Sequence, residues 1–177
     1  MKAVFLDRDG TIDYGIPRYE RVDSIDKVEL LPSVLQGLKL LAELDLPIFF
    51  VTNQAGIAEG LITEAEFDQI NNRVLELISP SGVKITKTYH CPHGIGSTCD
   101  CQKPKPKMLL DAAEEFGIDL SQSWMVGDRE TDVRTGINAG TKTILVETGG
   151  KVGELSEADY VAKDFLEVAR YLVEHIG

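Results

Sequence analysis

Nowhere in the 177 residues does an apolar run approach the ~20 residues that a membrane-spanning helix requires. The amino terminus, MKAVFLDRDG, turns acidic after an apolar run too short for a secretion signal and carries no cleavage-site pattern. Basic residues are scarce: 18 Lys and Arg stand against 29 Asp and Glu, a formal net charge of -11. Such a surface lacks the basic stripe that a phosphate backbone demands, which argues against nucleic acid as a partner. These absences predict a soluble, cytoplasmic protein with neither a nucleic-acid nor a membrane partner. Internal repeats and low-complexity segments are also missing. Cysteine is limited to Cys91, Cys99 and Cys101. A disulfide framework uses an even number spread along the chain, so three crowded into one segment point to a metal site.

What remains is an ordinary globular composition, 43% hydrophobic and 27% charged. The length fits one domain over residues 1–177. Short apolar runs at 2–6, 47–51, 124–126 and 143–146 read as strands, the first two buried, and 84–89 reads as a further strand. Helical spacing follows Pro32-Ser33, with Val34, Leu35, Leu38, Leu41 and Leu44 on one face. Thr63-Glu64-Ala65-Glu66 is a capping-box pattern introducing a helix with Phe67, Ile70, Val74, Leu75 and Ile78 on one face. Further helices are expected over 108–116, 131–138 and 164–174. Segment 13–25 and the Cys-, Gly- and Pro-rich segment 90–106 read as loops. Strands alternating with helices predict an α/β doubly wound parallel sheet covered on both faces.

Asp7, Thr52 and Asp128 each fall at the C-terminal end of a predicted strand, the edge where open α/β sheets bind ligands. In Asp7-Arg8-Asp9-Gly10-Thr11 two carboxylates stand one residue apart. One can attack phosphorus, and the other can protonate the leaving oxygen and then activate water. A carboxylate attacking a phosphate dianion is repelled, so such a site calls for Mg²⁺. Thr52, Asn53 and Gln54 supply a hydroxyl and amides to phosphate oxygens, and Lys103 a fixed cation. Gly127-Asp128-Arg129-Glu130-Thr131-Asp132 adds carboxylates suited to a metal. Each has a bland reading alone: a solvated turn, a strand-end hydroxyl, a surface charge, a helix cap. Together they meet what phosphoryl transfer needs, positioning and charge neutralisation.

Cys91-Pro92-His93, five residues, then Cys99-Asp100-Cys101 offers four soft or borderline ligands in one loop. Cys₃His is a common closed set for structural Zn²⁺. His90 is the less favoured alternative ligand, and a redox disulfide between Cys99 and Cys101 is the other option.

In this order the segments resemble the haloacid dehalogenase-like phosphohydrolase superfamily over nearly the whole chain. The resemblance implies that Asp7 is the nucleophile and Asp9 the general acid and base. Thr52 and Lys103 would bind phosphate. Mg²⁺ would be held by Asp7, Asp128 and the main-chain carbonyl of Asp9. Asp132 is left between two roles, touching metal-bound water or ordering the loop. The C-x-H…C-x-C set before Lys103-Pro104 looks like the branch of heptose bisphosphate and histidinol-phosphate phosphatases, in which zinc stiffens a substrate-recognition loop. Residue 102 is Gln where that branch commonly carries Arg, which can grip a second phosphate bidentately. No interval between the motifs leaves room for a cap domain, so specificity is expected from segment 13–25, the Cys/His loop or a partner subunit of a small homo-oligomer. The expected substrate is a small phosphorylated sugar, with histidinol phosphate or another small metabolite as the alternative. A zinc-stabilised non-catalytic binding protein is the competing class.

Overall fold

The predicted strands are present in the computed structural model, which describes residues 1–15, 25–148 and 156–176. They are β1 (Val4–Leu6), β2 (Ile48–Asn53), β3 (Ile85–Cys91), β4 (Trp124–Gly127) and β5 (Lys142–Val146). A sixth, β6 (Tyr160–Ala162), was not expected from the sequence. All pairings are parallel, in the order β3-β2-β1-β4-β5-β6. The sheet is the expected doubly wound one. Of segment 13–25, residues 16–24 lie outside the described residues.

The helices are α1 (Val34–Ala42), the short α2 (Ala55–Ala58), α3 (Glu64–Ile78), α4 (Lys107–Phe116), α5 (Glu130–Ala139) and α6 (Phe165–His175). Successive strand residues face opposite sides, and β1 illustrates the result. Val4 and Leu6 pack into the core under α1, α3 and α6, with Leu38, Val74 and Phe165. Phe5 points the other way, into a smaller core with Phe49, Met125 and Leu109 of α4. Its ring stacks on Phe49 at 5.2 Å between centroids. All three β1 residues are buried, and each large apolar side chain so placed contributes about 1.5–3 kcal/mol. Trp124 belongs to the first core and meets Tyr171 edge-on at 5.7 Å.

Local chemistry sets the helix ends. The predicted capping box is present: Thr63 Oγ1 accepts from Glu66 N at 3.2 Å, and Glu66 Oε2 accepts from Thr63 N at 2.7 Å. Gly117 and Gly140 end α4 and α5 in the left-handed conformation. Strand β3 runs two residues further than expected, so His90 and Cys91 lie on the sheet, opposite Thr52 and Asn53 of β2. β3 is an edge strand and its residues are mostly half-buried or exposed.

β1 is flanked by β2 on one side and β4 on the other, so the strand order reverses beside it. The chain leaves β1 at Asp7, β2 beside Gln54 and β4 at Asp128, all at one sheet edge. That crevice at the reversal is where doubly wound sheets bind ligands.

Candidate active site

Beyond β1 the chain turns sharply, close against Asp128. Gly10 turns it with φ 89°, and a Cβ there would lie 2.6 Å from Asp128 Oδ2. The carbonyl of Arg8 accepts from the N–H groups of Thr11, Ile12 and Asp13 at 3.1, 2.8 and 3.2 Å, closing a tight loop. Thr148 Oγ1 donates to the Gly10 carbonyl at 2.6 Å and ties the turn to the end of β5. Gly127 serves similarly, since a Cβ on it would sit 2.3 Å from Asp132 Cγ.

These turns bring Asp7, Asp128 and Asp132 together, with ligand oxygens within 4.8 Å of one another and all three residues buried. One ammonium meets them. Lys103 Nζ, arriving from the loop after β3, lies 2.7 Å from Asp7 Oδ1 and 2.6 Å from Asp132 Oδ1, and donates to the Val51 carbonyl at 3.0 Å. Burial lowers the Lys103 pKa, but Asp132 and Asp7 more than offset it and hold the group charged. Burial pushes Asp7 well above the usual carboxylate range, reinforced by Asp132 and opposed by Lys103. Asp128 is raised by burial and by Asp132. Asp128 Oδ2 is buried and accepts no hydrogen bond, with Arg129 Nε 3.6 Å away. Three buried carboxylates around one buried lysine, with the exposed Arg129 only at the rim and one buried oxygen that accepts no hydrogen bond, fit a divalent cation bound by oxygen ligands.

Asp9 stands on the open side, with its side chain 32% exposed. Its Oδ1 accepts from Arg8 Nε at 2.8 Å and lies 2.7 Å from Arg8 Nη2, and its Oδ2 accepts from Gln54 Nε2 at 2.9 Å. The same Gln54 amide donates to Thr52 Oγ1 at 2.9 Å. Asn53 spans the main chain of Lys103, donating to its carbonyl at 3.2 Å and accepting from its N–H at 3.0 Å. Gln54, expected to reach phosphate oxygens, is turned to Asp9 and Thr52 instead, and Arg8 and Asp13 are the contributors that the sequence did not single out. Asp13 opens the segment read as a loop and as a source of specificity, yet it is buried against Arg8, with Oδ2 3.5 Å from Nε. Burial, with Asp9 alongside, pushes the Asp13 carboxyl up to about 7.

Behind this edge the four predicted soft ligands converge. Cys91 Sγ is 3.5 Å from His93 Nδ1, 3.7 Å from Cys99 Sγ and 3.0 Å from Cys101 Sγ, while His93 Nδ1 is 3.3 Å from Cys101 Sγ. A tetrahedral zinc with bonds of ~2.3 Å needs ligand atoms roughly 3.8 Å apart, so the cluster needs only a small expansion to hold a metal ion. His90 is outside it, bonded to Glu64 at 2.9 Å and packed on Phe67. Gln102 Nε2 donates weakly inward to the carbonyls of His93 and Gly94, at 3.4 and 3.3 Å. Between this loop and the catalytic edge lies a cleft of about 650 Å³, bordered by Asp9, Lys103 and Arg129 and by the apolar Leu61, Ile62 and Ile95.

A switch-point site of buried carboxylates and one lysine on a doubly wound sheet defines a phosphoryl-transfer hydrolase class, and comparison with known proteins agrees. The HAD-hydrolase-like family model matches residues 100–168. A D-glycero-beta-D-manno-heptose-1,7-bisphosphate 7-phosphatase of Haemophilus influenzae is 40% identical, over 97% of this chain and 96% of the relative. The protein of the same name from Escherichia coli K12 is 36% identical over 94% and 91%. Among solved structures, a D,D-heptose 1,7-bisphosphate phosphatase from B. bronchiseptica, complexed with magnesium and phosphate, superposes with a TM-score of 0.88 at 32% identity, covering 98% of this chain and 99% of that one. The chain belongs to the haloacid dehalogenase-like phosphatases, and within them to the family these relatives represent.

Proposed function

We propose that the chain is a Mg²⁺-dependent phosphomonoesterase that removes the 7-phosphate of D-glycero-D-manno-heptose 1,7-bisphosphate through an aspartyl phosphate on Asp7. The observation that carries this is the meeting of Asp7 with Lys103 at 2.7 Å beside Asp128 at the strand-order reversal. The substrate is taken from the relatives' activity. In the first step an Asp7 oxygen bonds to phosphorus, the bond from phosphorus to the sugar oxygen breaks, and that oxygen takes a proton from Asp9. In the second step water attacks phosphorus, gives its proton to Asp9, and the Asp7 carboxylate is released. Lys103 neutralises the phosphoryl oxygens, and Thr52, buried beside Gln54, donates to one of them. Asn53 contributes by fixing the main chain of Lys103. Asp7, Asp128 and the Asp9 carbonyl would hold Mg²⁺, which supplies the positive charge that the lone lysine leaves short.

In this reading Zn²⁺ is held by Cys91, His93, Cys99 and Cys101. The set is closed, so the ion stiffens the loop and takes no part in the chemistry. The arrangement functions as one domain acting on a small metabolite in the cytoplasm. Asp7→Asn is expected to fold and to lose at least about a thousandfold in kcat, by analogy with other nucleophile deletions. Retained turnover would sink the covalent mechanism. Comparing kcat/KM for the two anomers of the heptose bisphosphate with that for histidinol phosphate tests the substrate. A preference of less than about tenfold, under 1.4 kcal/mol, would mean that neither is native.

A further inference from the structure

The loop after β1 buries an arginine that the phosphoryl-transfer steps leave without a role. Arg8 is 1% exposed, and a guanidinium so enclosed must be paired. Adjacent residues of an extended strand point to opposite faces, so Arg8 and Asp9 would not normally meet. They meet here because the chain folds back at Gly10 and three N–H groups close on the Arg8 carbonyl. Arg8 then directs Nε and Nη2 to one oxygen of Asp9, Oδ1, at 2.8 and 2.7 Å. Asp13 stands on the same Nε at 3.5 Å. The Phe67 ring lies under the guanidinium, 5.3 Å from its Cζ, with His90 packed against that ring at 4.2 Å. Gln54 holds the other Asp9 oxygen.

We infer that Arg8 is a positioning residue that, together with Gln54, fixes the Asp9 carboxyl at the mouth of the cleft where the leaving oxygen must depart. The inference rests on the acid–base assignment of Asp9 above. A general acid acts only within hydrogen-bond reach of the departing oxygen, and a carboxyl on a turn, one-third exposed, has side-chain torsions free to carry it elsewhere. The paired donors of Arg8 remove that freedom in a way lysine cannot, because lysine is a point charge on a flexible stem. The stack of Arg8, Phe67 and His90 extends the support to α3 and β3.

This role separates from bulk structure by its dependence on the leaving group. A sugar alkoxide needs the proton from Asp9 to depart, whereas the phenolate of 4-nitrophenyl phosphate does not. The ratio kcat/KM reports events up to the first irreversible P–O cleavage, so later hydrolysis of the aspartyl phosphate does not blur it. With Arg8→Met, kcat/KM for the heptose bisphosphate is expected to fall about a hundredfold, within the usual contribution of general acid catalysis, and that for 4-nitrophenyl phosphate less than about fivefold. In an Asp9→Asn background the same change should alter neither by more than about twofold, the two residues acting as one unit. If Arg8→Met does not fold, as judged by thermal melting, Arg8→Lys carries the same comparison with the charge retained. An equal loss on both esters, or no loss on either, in a folded variant would overturn the inference. A wild-type chain inactive on both esters would instead bring down the phosphatase assignment on which it stands.

Discussion

Asp132 lies 2.6 Å from Lys103 Nζ through Oδ1 and accepts from Arg129 N at 3.1 Å through Oδ2, so each of its oxygens is held by a different loop. Of the two roles the sequence left open, ordering the loop is the one these contacts support, and they add a grip on the lysine. Its charge also raises Asp7 and Asp128, so removing it has opposing effects: less repulsion among the carboxylates, but a looser Lys103. The second should dominate turnover. Asp132→Asn is expected to stay folded and to lose about 10- to 100-fold in kcat, as is usual for groups that orient a ligand from outside. Steady-state kinetics at saturating Mg²⁺ would check this, and an unchanged kcat would restrict Asp132 to architecture. The residue types at the centre were legible because phosphoryl transfer needs carboxylates, a cation and a hydroxyl at strand ends. Arg8 and Asp13 were not, since a sequence does not reveal that a turn folds two charged side chains inward. Asn53 was legible as a site residue but not in its use, which is to hold the backbone of Lys103.

At the scale of elements, the clearest local code is the start of α3. Thr63→Ala removes the acceptor for Glu66 N and should cost about 1 kcal/mol, measured as a lower denaturation midpoint with an unchanged slope. A neutral outcome would mean that packing of Phe67, Ile70 and Val74 alone sets that end. Five strands and the five longer helices were foreseeable, most of them from clear apolar runs or periods, although residues 84–89 carry only Ile85 and Tyr89 as large apolar side chains. β6 was not: three residues, Tyr160–Ala162, give no period, and the strand exists because β5 leaves an open edge. The prolongation of β3 was hidden for a related reason. His90 and Cys91 look like loop chemistry, yet they pair in register with Thr52 and Asn53, which places a metal-type ligand on the sheet itself. The close approach of α1 to α6 was equally invisible, and it depends on Gly37, where a Cβ would meet the Phe165 backbone oxygen at 2.8 Å.

For the molecule as a whole, two clusters suited to different metals sit at the same edge, and they should respond separately to metal removal. EDTA at neutral pH is expected to abolish turnover, with Mg²⁺ restoring it. A thiol-directed mercurial should release about one zinc per chain from a Cys₃His set and lower the melting temperature. Metal analysis with parallel melting curves would check both. Full stability with no zinc would leave the cysteine cluster as a reduced, metal-free feature. No helix among the described residues is long and apolar enough to cross a membrane.

The position of β1 has a consequence for how the protein is made. In chain order β1 is the earliest described strand, yet it is one of the two central strands of the sheet, bound by β2 on one side and by β4, some 120 residues later, on the other. Its Asp7 meets its lysine only when residue 103 has been added. At translation speeds of about 5–20 residues per second, the nascent chain spends several seconds with its central strand unpaired on one edge and its carboxylates uncompensated. The residues of the site come together only after Asp128 and Asp132 have been added, so a shorter nascent chain lacks part of the set.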